Sequence, residues 1–454
     1  MSILNALRGR FALAVLLYAS GLVYQSYFLE RTEFAGLIAS VLLCFVAYFL
    51  LIWNPGGDQE SGFRERKYVY WILLLIPLFS FPTLSNDYYR FIWDGELLSR
   101  GVNPYDFKPN ELILLPEFSG VYFRELYDGM GSLSQENYTC YPVINQCYFL
   151  ISAVFSDHIW INVVVLRILV VGTMLLGAVY LEKLLDICKL SASRSLIFLL
   201  SPLFLIEVVQ NLHFEGVMIS FTLMGIYYMH RQHWLLSAIC WALAIHIKLL
   251  PLVLIPFWLR YLGWGKSMLL GSLTLVLTAV FALFLIDQSN YMNFLESLRL
   301  YFQQFEFNSF LLHWYIEYGR WRFGYNRIQT FGPYLSRLAT MAMLVFAWLG
   351  NHFSLQQMLL RMTFALFCYY LLSSTVHPWY VLLPLVLSVF SGYRFAILWS
   401  GLIFLSYYWY VDGMNTRLFR AFTILEYGLV IVYLAYEVYV HRKHKKRVDT
   451  LPTP

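Results

Sequence analysis

The sequence predicts an all-α, polytopic integral membrane protein, and three observations carry that prediction. Of 454 residues, 59% are hydrophobic and 19% are aromatic. Only 13% are charged, against about 25% in soluble domains, too few to coat a water-soluble globule. Apolar runs repeatedly reach the ~17–20 residues that a helix needs to cross a hydrocarbon core.

The segments follow in order. Spans are expected near 11–29, 35–53 and 69–84, then 159–181, 195–211, 215–230, 267–286, 332–350, 362–376, 378–392, 395–411 and 421–440. The first reads as a genuine span, because Glu30 and Arg31 follow it where a leader would carry a small-x-small cleavage site. Residues 234–259 fit a short hairpin with Lys248 near its turn, giving about 14 membrane segments, or 12 to 14 with the boundaries left loose.

Arg8, Arg10, the cluster Arg64, Arg66 and Lys67, then Lys183, Lys189, Arg194, Arg231, Arg260, Lys266 and the tail "HRKHKKR" all fall on one side, the cytoplasmic one by the positive-inside rule. The division is therefore N-terminal spans 1–84, an outer loop 85–158 with interfacial helices, spans 159–440 and a basic tail 441–454. The net charge of +5 is accounted for by that tail, so no nucleic-acid partner is implied. Four of six cysteines lie in or near apolar segments, whereas Cys140 and Cys147 share the outer loop and could pair there.

Polar stretches from five distant segments share the outer face: residues 83–107, "NLHFEG" (211–216), the turn at His246 and Lys248, "FEFNSF" (305–310) and "VHPWY" (376–380). In a helix over 87–98, Asp87, Arg90 and Asp94 fall within a wedge of about 60°. A guanidinium keeps a neighbouring carboxylate ionised, as a base must be, or it binds a phosphate. Glu96 and Arg100 read as ordinary solvated charges. His246 and Lys248 lie within apolar sequence, where an ionisable group either snorkels or finds a partner; a lipid phosphate is one such partner.

His213 and Glu215 either orient a hydroxylated substrate or solvate their turn. His377 could donate to a phosphate or sugar, and Trp379 and Tyr380 suit an interfacial aromatic belt. Asn308 and Ser309 suit hydroxyl recognition, with Phe305, Phe307 and Phe310 as stacking surfaces. No metal constellation and no zincin, nucleophile-elbow, phosphate-loop or dinucleotide fingerprint occurs.

Taken in order, "SNDYYRFIWDGELLSRGVNPYDF", "YPVINQ" (141–146), "LAIHIKLLPLVLIPF", "FEFNSF" and "HPWY" resemble the GT-C superfamily of polyprenyl-phosphate-sugar glycosyltransferases. The likeness is greatest to mannosyltransferases, both the catalytic subunit that adds the first mannose in GPI assembly and bacterial polyprenol-phosphate-mannose-dependent relatives. It implies a GT-C fold and a catalytic carboxylate in the first large outer loop, a role that maps to Asp87. It implies a lipid-linked donor and a glycan or glycolipid acceptor at the bilayer surface.

Arg90, His246, Lys248 and His377 are then candidates for the donor phosphate. Asp94, His213, Glu215, Asn308, Ser309, Trp379 and Tyr380 are candidates for substrate contact. Two departures stand out. The family's paired acidic motif is here Asn86-Asp87, so the second carboxylate is Asp94 or missing. No cofactor is implied, and metal dependence stays open. The family's Asp also usually follows the first span, whereas two further spans precede Asp87. The compact loops lean towards a bacterial inner membrane with the outer face periplasmic and both termini cytoplasmic. Two other classes fit less well: a lipid-linked-glycan flippase, which would use midplane charges and inverted repeats, and an O-antigen-ligase-like enzyme using a diphosphate-linked donor.

Overall fold

The computed structural model describes residues 2–52, 62–303, 305–325, 328–350 and 352–449. Residues 450–454 of the expected basic tail lie outside the described residues. An isolated bridge pairs Phe307 with Thr375, and the described residues form no strands. The protein is an all-helical polytopic membrane protein. This is the solution a hydrocarbon solvent dictates, since a helix satisfies its backbone groups internally.

Five helices are long and apolar enough to cross alone: Phe34–Ile52, Ile159–Ile187, Trp264–Ala282, Leu355–Leu372 and the Thr416–His444 portion of Thr416–Asp449. A sixth is the pair Ala192–Leu199 and Pro202–Gln210, bent by 53°. Of the other expected spans, those near 11–29 and 332–350 are the continuous helices Ser2–Tyr27 and Ile328–Trp348; the rest are helical but shorter or broken, and proline explains most breaks. The predicted hairpin over 234–259 is instead the helix Trp234–Ile247, an extended Lys248 and a 3₁₀ run, Leu250–Phe257, carrying Pro251 and Pro256. The predicted span over 378–392 is a 3₁₀ turn at Pro378–Val381 followed by Leu382–Ser388. The third predicted span is the helix Phe63–Leu75, after which the chain turns through residues 76–86.

Cross-contacts define two ends of the bundle. At one, Lys67 pairs with Glu182 at 2.8 Å, Arg194 donates to the Ser391 carbonyl at 3.1 Å, and Glu437 accepts the Arg394 backbone N–H at 2.7 Å. At the other, Thr83 Oγ1 donates to the Gln25 carbonyl at 3.1 Å, and the Phe34 ring lies 5.2 Å from Tyr408. The loop 85–158 begins at this second end and holds Asp87–Ser99, Pro109–Leu112, Val121–Gln135 and Val143–Val154. Asp87–Ser99 and Val143–Val154 meet so closely at Gly95 that an added Cβ would sit 2.2 Å from the Phe149 carbonyl oxygen.

Candidate active site

Asp87 opens the first turn of its helix, and side-chain amides fix the approach to it. Asn211 Oδ1 accepts the backbone N–H groups of Thr83 and Leu84 at 3.0 and 2.8 Å. Gln210 Nε2 donates to the Gln25 carbonyl and to Thr83 Oγ1, each at 2.8 Å. Ser85 Oγ then accepts the Asp87 backbone N–H at 3.2 Å. The position of Asp87 is thereby tied to the turn that carries His213.

That turn is built under strain. Leu212 sits at φ 61°, a region costing a non-glycine residue ~1–2 kcal/mol. Just before it, Leu205–Gln210 widens into a π-helical turn, an insertion often found at functional sites. Buried Arg167 clamps the turn by donating to the carbonyls of Val209, Gln210 and Leu78 at 2.8, 2.9 and 2.9 Å. Glu207 consequently points inward. It accepts from the Tyr407 hydroxyl at 2.9 Å and lies 3.4 Å from His213 Nε2.

An aromatic wall continues from His213. Its ring stacks on Trp379 at 3.5 Å, Trp379 on His377 at 4.5 Å, and His377 on Phe307 at 4.7 Å. The wall holds its order because Phe307 donates to the Ser374 carbonyl at 3.2 Å and accepts from the Val376 N–H at 2.9 Å. "FEFNSF" is thereby laced to "STVHPWY".

Glu215 pairs with Lys248, whose ammonium stands 4.0 Å above the Tyr380 ring. Lys248 owes its place to the break after Ile247: its backbone is extended, φ −155° and ψ 139°, and Asn145 Nδ2 holds the Ile247 carbonyl at 2.7 Å. Arg31 completes the ring of charges, 3.4 Å over the face of Tyr410.

Asp87 stands half-buried among these groups. Burial pushes its carboxyl above the usual aspartate range, and Glu215 adds to the rise, while Arg31, the Ser85 hydroxyl and Lys248 pull it back. A carboxylate held ionised by cations yet dehydrated enough to want a proton has the profile of a general base. Beside it, ammonium and guanidinium groups suit an anion, and the aromatic faces suit an apolar or sugar surface.

Asp87, His213, Glu215, Lys248, His377, Trp379 and Tyr380 thus gather at one end of the bundle. Other expected residues stand elsewhere. Arg90 and Asp94 share the helix but form a separate buried pair, Nε to Oδ1 at 2.7 Å. Arg90 also donates to the Ser134 and Asn137 carbonyls at 2.7 and 3.0 Å. Asp94 Oδ2 accepts from Thr139 at 2.6 Å and Gln146 at 3.1 Å. Arg90 thus fastens residues 134–137 of the loop and Asp94 fastens Thr139 and Gln146, apart from the group around Asp87.

His246 Nε2 lies 2.8 Å from the Thr278 carbonyl of the neighbouring helix, apart from Lys248. Asn308 spends its amide on Glu426 at 3.0 Å and on Thr423 at 3.0 Å, and Ser309 donates to Glu306 at 2.8 Å. Glu96 is not a solvated charge: it is buried and accepts from the Tyr122 hydroxyl at 3.0 Å. Cys140 and Cys147 form no disulfide. Among the described residues no group of three or more His, Cys, Asp or Glu is arranged to hold a metal ion.

Sequence reasoning missed Arg31, Glu207, Tyr407 and Tyr410. Glu207 carried a usable signal, since a lone carboxylate inside a predicted span is rarely idle.

No curated protein is detectably similar to the chain. The family model described as "Alpha-(1->6)-mannopyranosyltransferase, N-terminal domain" matches residues 9–263. That stretch is more than half the chain and carries Arg31, Asp87, Glu207, His213, Glu215 and Lys248. The chain accordingly belongs to this family and is a mannosyltransferase.

Proposed function

We propose that the protein transfers mannose from a polyprenyl-phosphate donor to a glycan or glycolipid acceptor, with inversion, on the extracytoplasmic face of its membrane. One observation carries the reading: a half-buried carboxylate, Asp87, within electrostatic reach of Arg31 and Lys248 and next to a wall of stacked rings at a bundle end. In the step, the acceptor oxygen attacks the anomeric carbon and Asp87 takes its proton. The bond from that carbon to the phosphate oxygen breaks, and polyprenyl phosphate departs with the electron pair. General-base catalysis of this kind contributes about 10²–10⁴-fold, and cations at the leaving phosphate add a comparable or larger share. Lys248 and Arg31 are the cations for that second task, and buried His377, held neutral, can donate a hydrogen bond to the phosphate.

Inversion that yields an α-linkage, as in the family's description, requires a β-linked mannosyl phosphate. The loop 85–158 is then the catalytic outer loop. The basic groups at the opposite bundle end, Lys67, Arg194 and Arg394, support a cytoplasmic setting for that end; with the compact loops, the reading is a bacterial inner membrane with the site in the periplasm. A donor already on the outer face cannot be a cytosolic nucleotide sugar.

The test is to incubate purified protein with labelled polyprenyl-phosphate mannose in one arm and GDP-mannose in the other, over a panel of glycan acceptors. Labelled product from the lipid arm alone is expected. Product from the nucleotide arm alone would overturn the donor, and with it the outer face.

A further inference from the structure

A second polar cleft lies beside the aromatic wall, between residues 306–314 and 409–424. It encloses about 260 Å³, and its lining includes Glu306, Ser309, His313, Trp314, Trp409 and Arg420. Both indoles present a face to the outside, 53% exposed for Trp314 and 40% for Trp409. Phe419 backs Trp409 at 5.1 Å, so that indole is held as a platform.

The charges in and around the cleft balance. Arg320 donates to Glu317 at 2.7 Å, and Arg420 lies 3.5 Å from the same carboxylate and against His313. Glu306 accepts from Ser309 at 2.8 Å and lies 3.9 Å from His313 Nδ1. Glu306 lines the cleft and Glu317, beside it, engages both guanidiniums, so two carboxylates offset two guanidiniums. A phosphate or diphosphate site would leave cations uncompensated; this one offers donors and acceptors in equal measure beside flat apolar faces. That combination matches a neutral polyhydroxyl ring, whose hydroxyls both donate and accept and whose C–H face stacks on an indole.

The cleft also stands in the right place. Phe307 contacts His377 at 4.7 Å on one side, and Trp409 and Phe419, each at 6.3 Å, on the other. One ring layer therefore separates the cleft from the group around Asp87, and Tyr410, next to Trp409, lies beneath Arg31. The helix Thr416–Asp449 has 34 residues, about 51 Å at ~1.5 Å per residue, more than the ~30 Å hydrocarbon core. Its Thr416 end, where the cleft opens, is thus on the opposite membrane side from its basic end and shares a side with Asp87.

We propose that this cleft is an acceptor subsite: it holds a neutral hexose unit of the acceptor glycan, adjacent to the unit whose hydroxyl is attacked at Asp87. The proposal rests on the reading of Asp87 as base and adds a length requirement. An acceptor of two or more linked hexoses reaches the cleft, and a single hexose does not.

The experiment uses the purified full chain, polyprenyl-phosphate mannose as donor, and methyl α-mannoside, α-linked mannobiose and mannotriose as acceptors. Wild type is expected to show a lower acceptor KM for the longer saccharides. Trp409→Ala and Arg420→Gln are each expected to raise that KM about tenfold, with donor KM unchanged, and Trp409→Phe to keep most of the advantage. Should Trp409→Ala melt early, Trp409→Phe and Arg420→Gln still decide the matter. Equal KM for all three acceptors, or a raised donor KM in the variants, overturns the subsite. If wild type transfers no mannose from this donor, the donor reading fails, and calorimetric binding of mannotriose to wild type and Arg420→Gln still tests the cleft. Wild-type binding lost in the variant supports it, and equal or absent binding refutes it.

Discussion

The first turn and the middle of the Asp87–Ser99 helix each carry an aspartate, and the two have opposite surroundings. Asp94 is fully buried and saturated: Arg90, Thr139 and Gln146 all donate to it. Asp87 is half-buried, bonded locally to Ser85, and faced by Arg31, Lys248 and Glu215 drawn from elsewhere. The lesson is that charge density in a motif does not identify the reactive group. A carboxylate whose lone pairs are all taken by fixed donors is a fastener. One with cations near it and lone pairs to spare can accept a proton.

The largest effect on folding should come from Asp94→Ala, which leaves Arg90 buried without its counter-ion. Losing one partner of a buried pair costs ~3–5 kcal/mol, so a denaturant titration should show a severely destabilised or unfolded protein. A wild-type melt would mean that Asp94 is no fastener. Next comes Lys248→Met, which removes a cation from the leaving phosphate. A fall in kcat of ~10²–10³ is expected by analogy with other charge-stabilising groups, with Glu215→Gln combined to avoid a stranded carboxylate. An unchanged kcat would remove Lys248 from the reacting centre.

The pH–rate profile should show a smaller, graded effect. Asp87 must be ionised to act as base, and its carboxyl is raised above the ordinary range. Activity should therefore fall on acidification at a higher pH than an exposed aspartate would give, and a profile flat down to ordinary carboxylate pH would speak against it. Smallest is Glu96→Gln, which keeps an acceptor for Tyr122. A stability change near 1 kcal/mol and transfer close to wild type are expected in parallel melts and assays, because Glu96 fastens the loop as Asp94 does.

Much of the site was legible because ionisable residues are scarce in this chain. His213, Glu215, Lys248 and His377 stood out against apolar neighbours, and their convergence follows from a shared membrane side. What could not be read was committed pairing: Arg90 and Asp94 have the right spacing for Asp87's face, but they bond each other, the Ser134 and Asn137 carbonyls take Arg90, and Thr139 and Gln146 take Asp94. Arg31 looked like a flank to a span, and Tyr410 was lost in an aromatic run. The helix ends escaped for a related reason, since hydropathy registers apolar length and not the breaks at Pro202, Pro251 and Pro378. The extended backbone at Lys248, which sets its ammonium against Glu215, has no hydropathy signature.

The most direct measurement is transfer by purified Asp87→Asn protein, with a thermal melt of the same sample. Because the folded pKa of Asp87 lies above its unfolded value, the ionised form costs stability above the ordinary aspartate range. The amide removes that cost. Transfer from polyprenyl-phosphate mannose is expected to fall at least ~100-fold, with a Tm at neutral pH equal to or above wild type. Transfer within a few-fold of wild type from a normally folded protein would contradict the role of Asp87 as base.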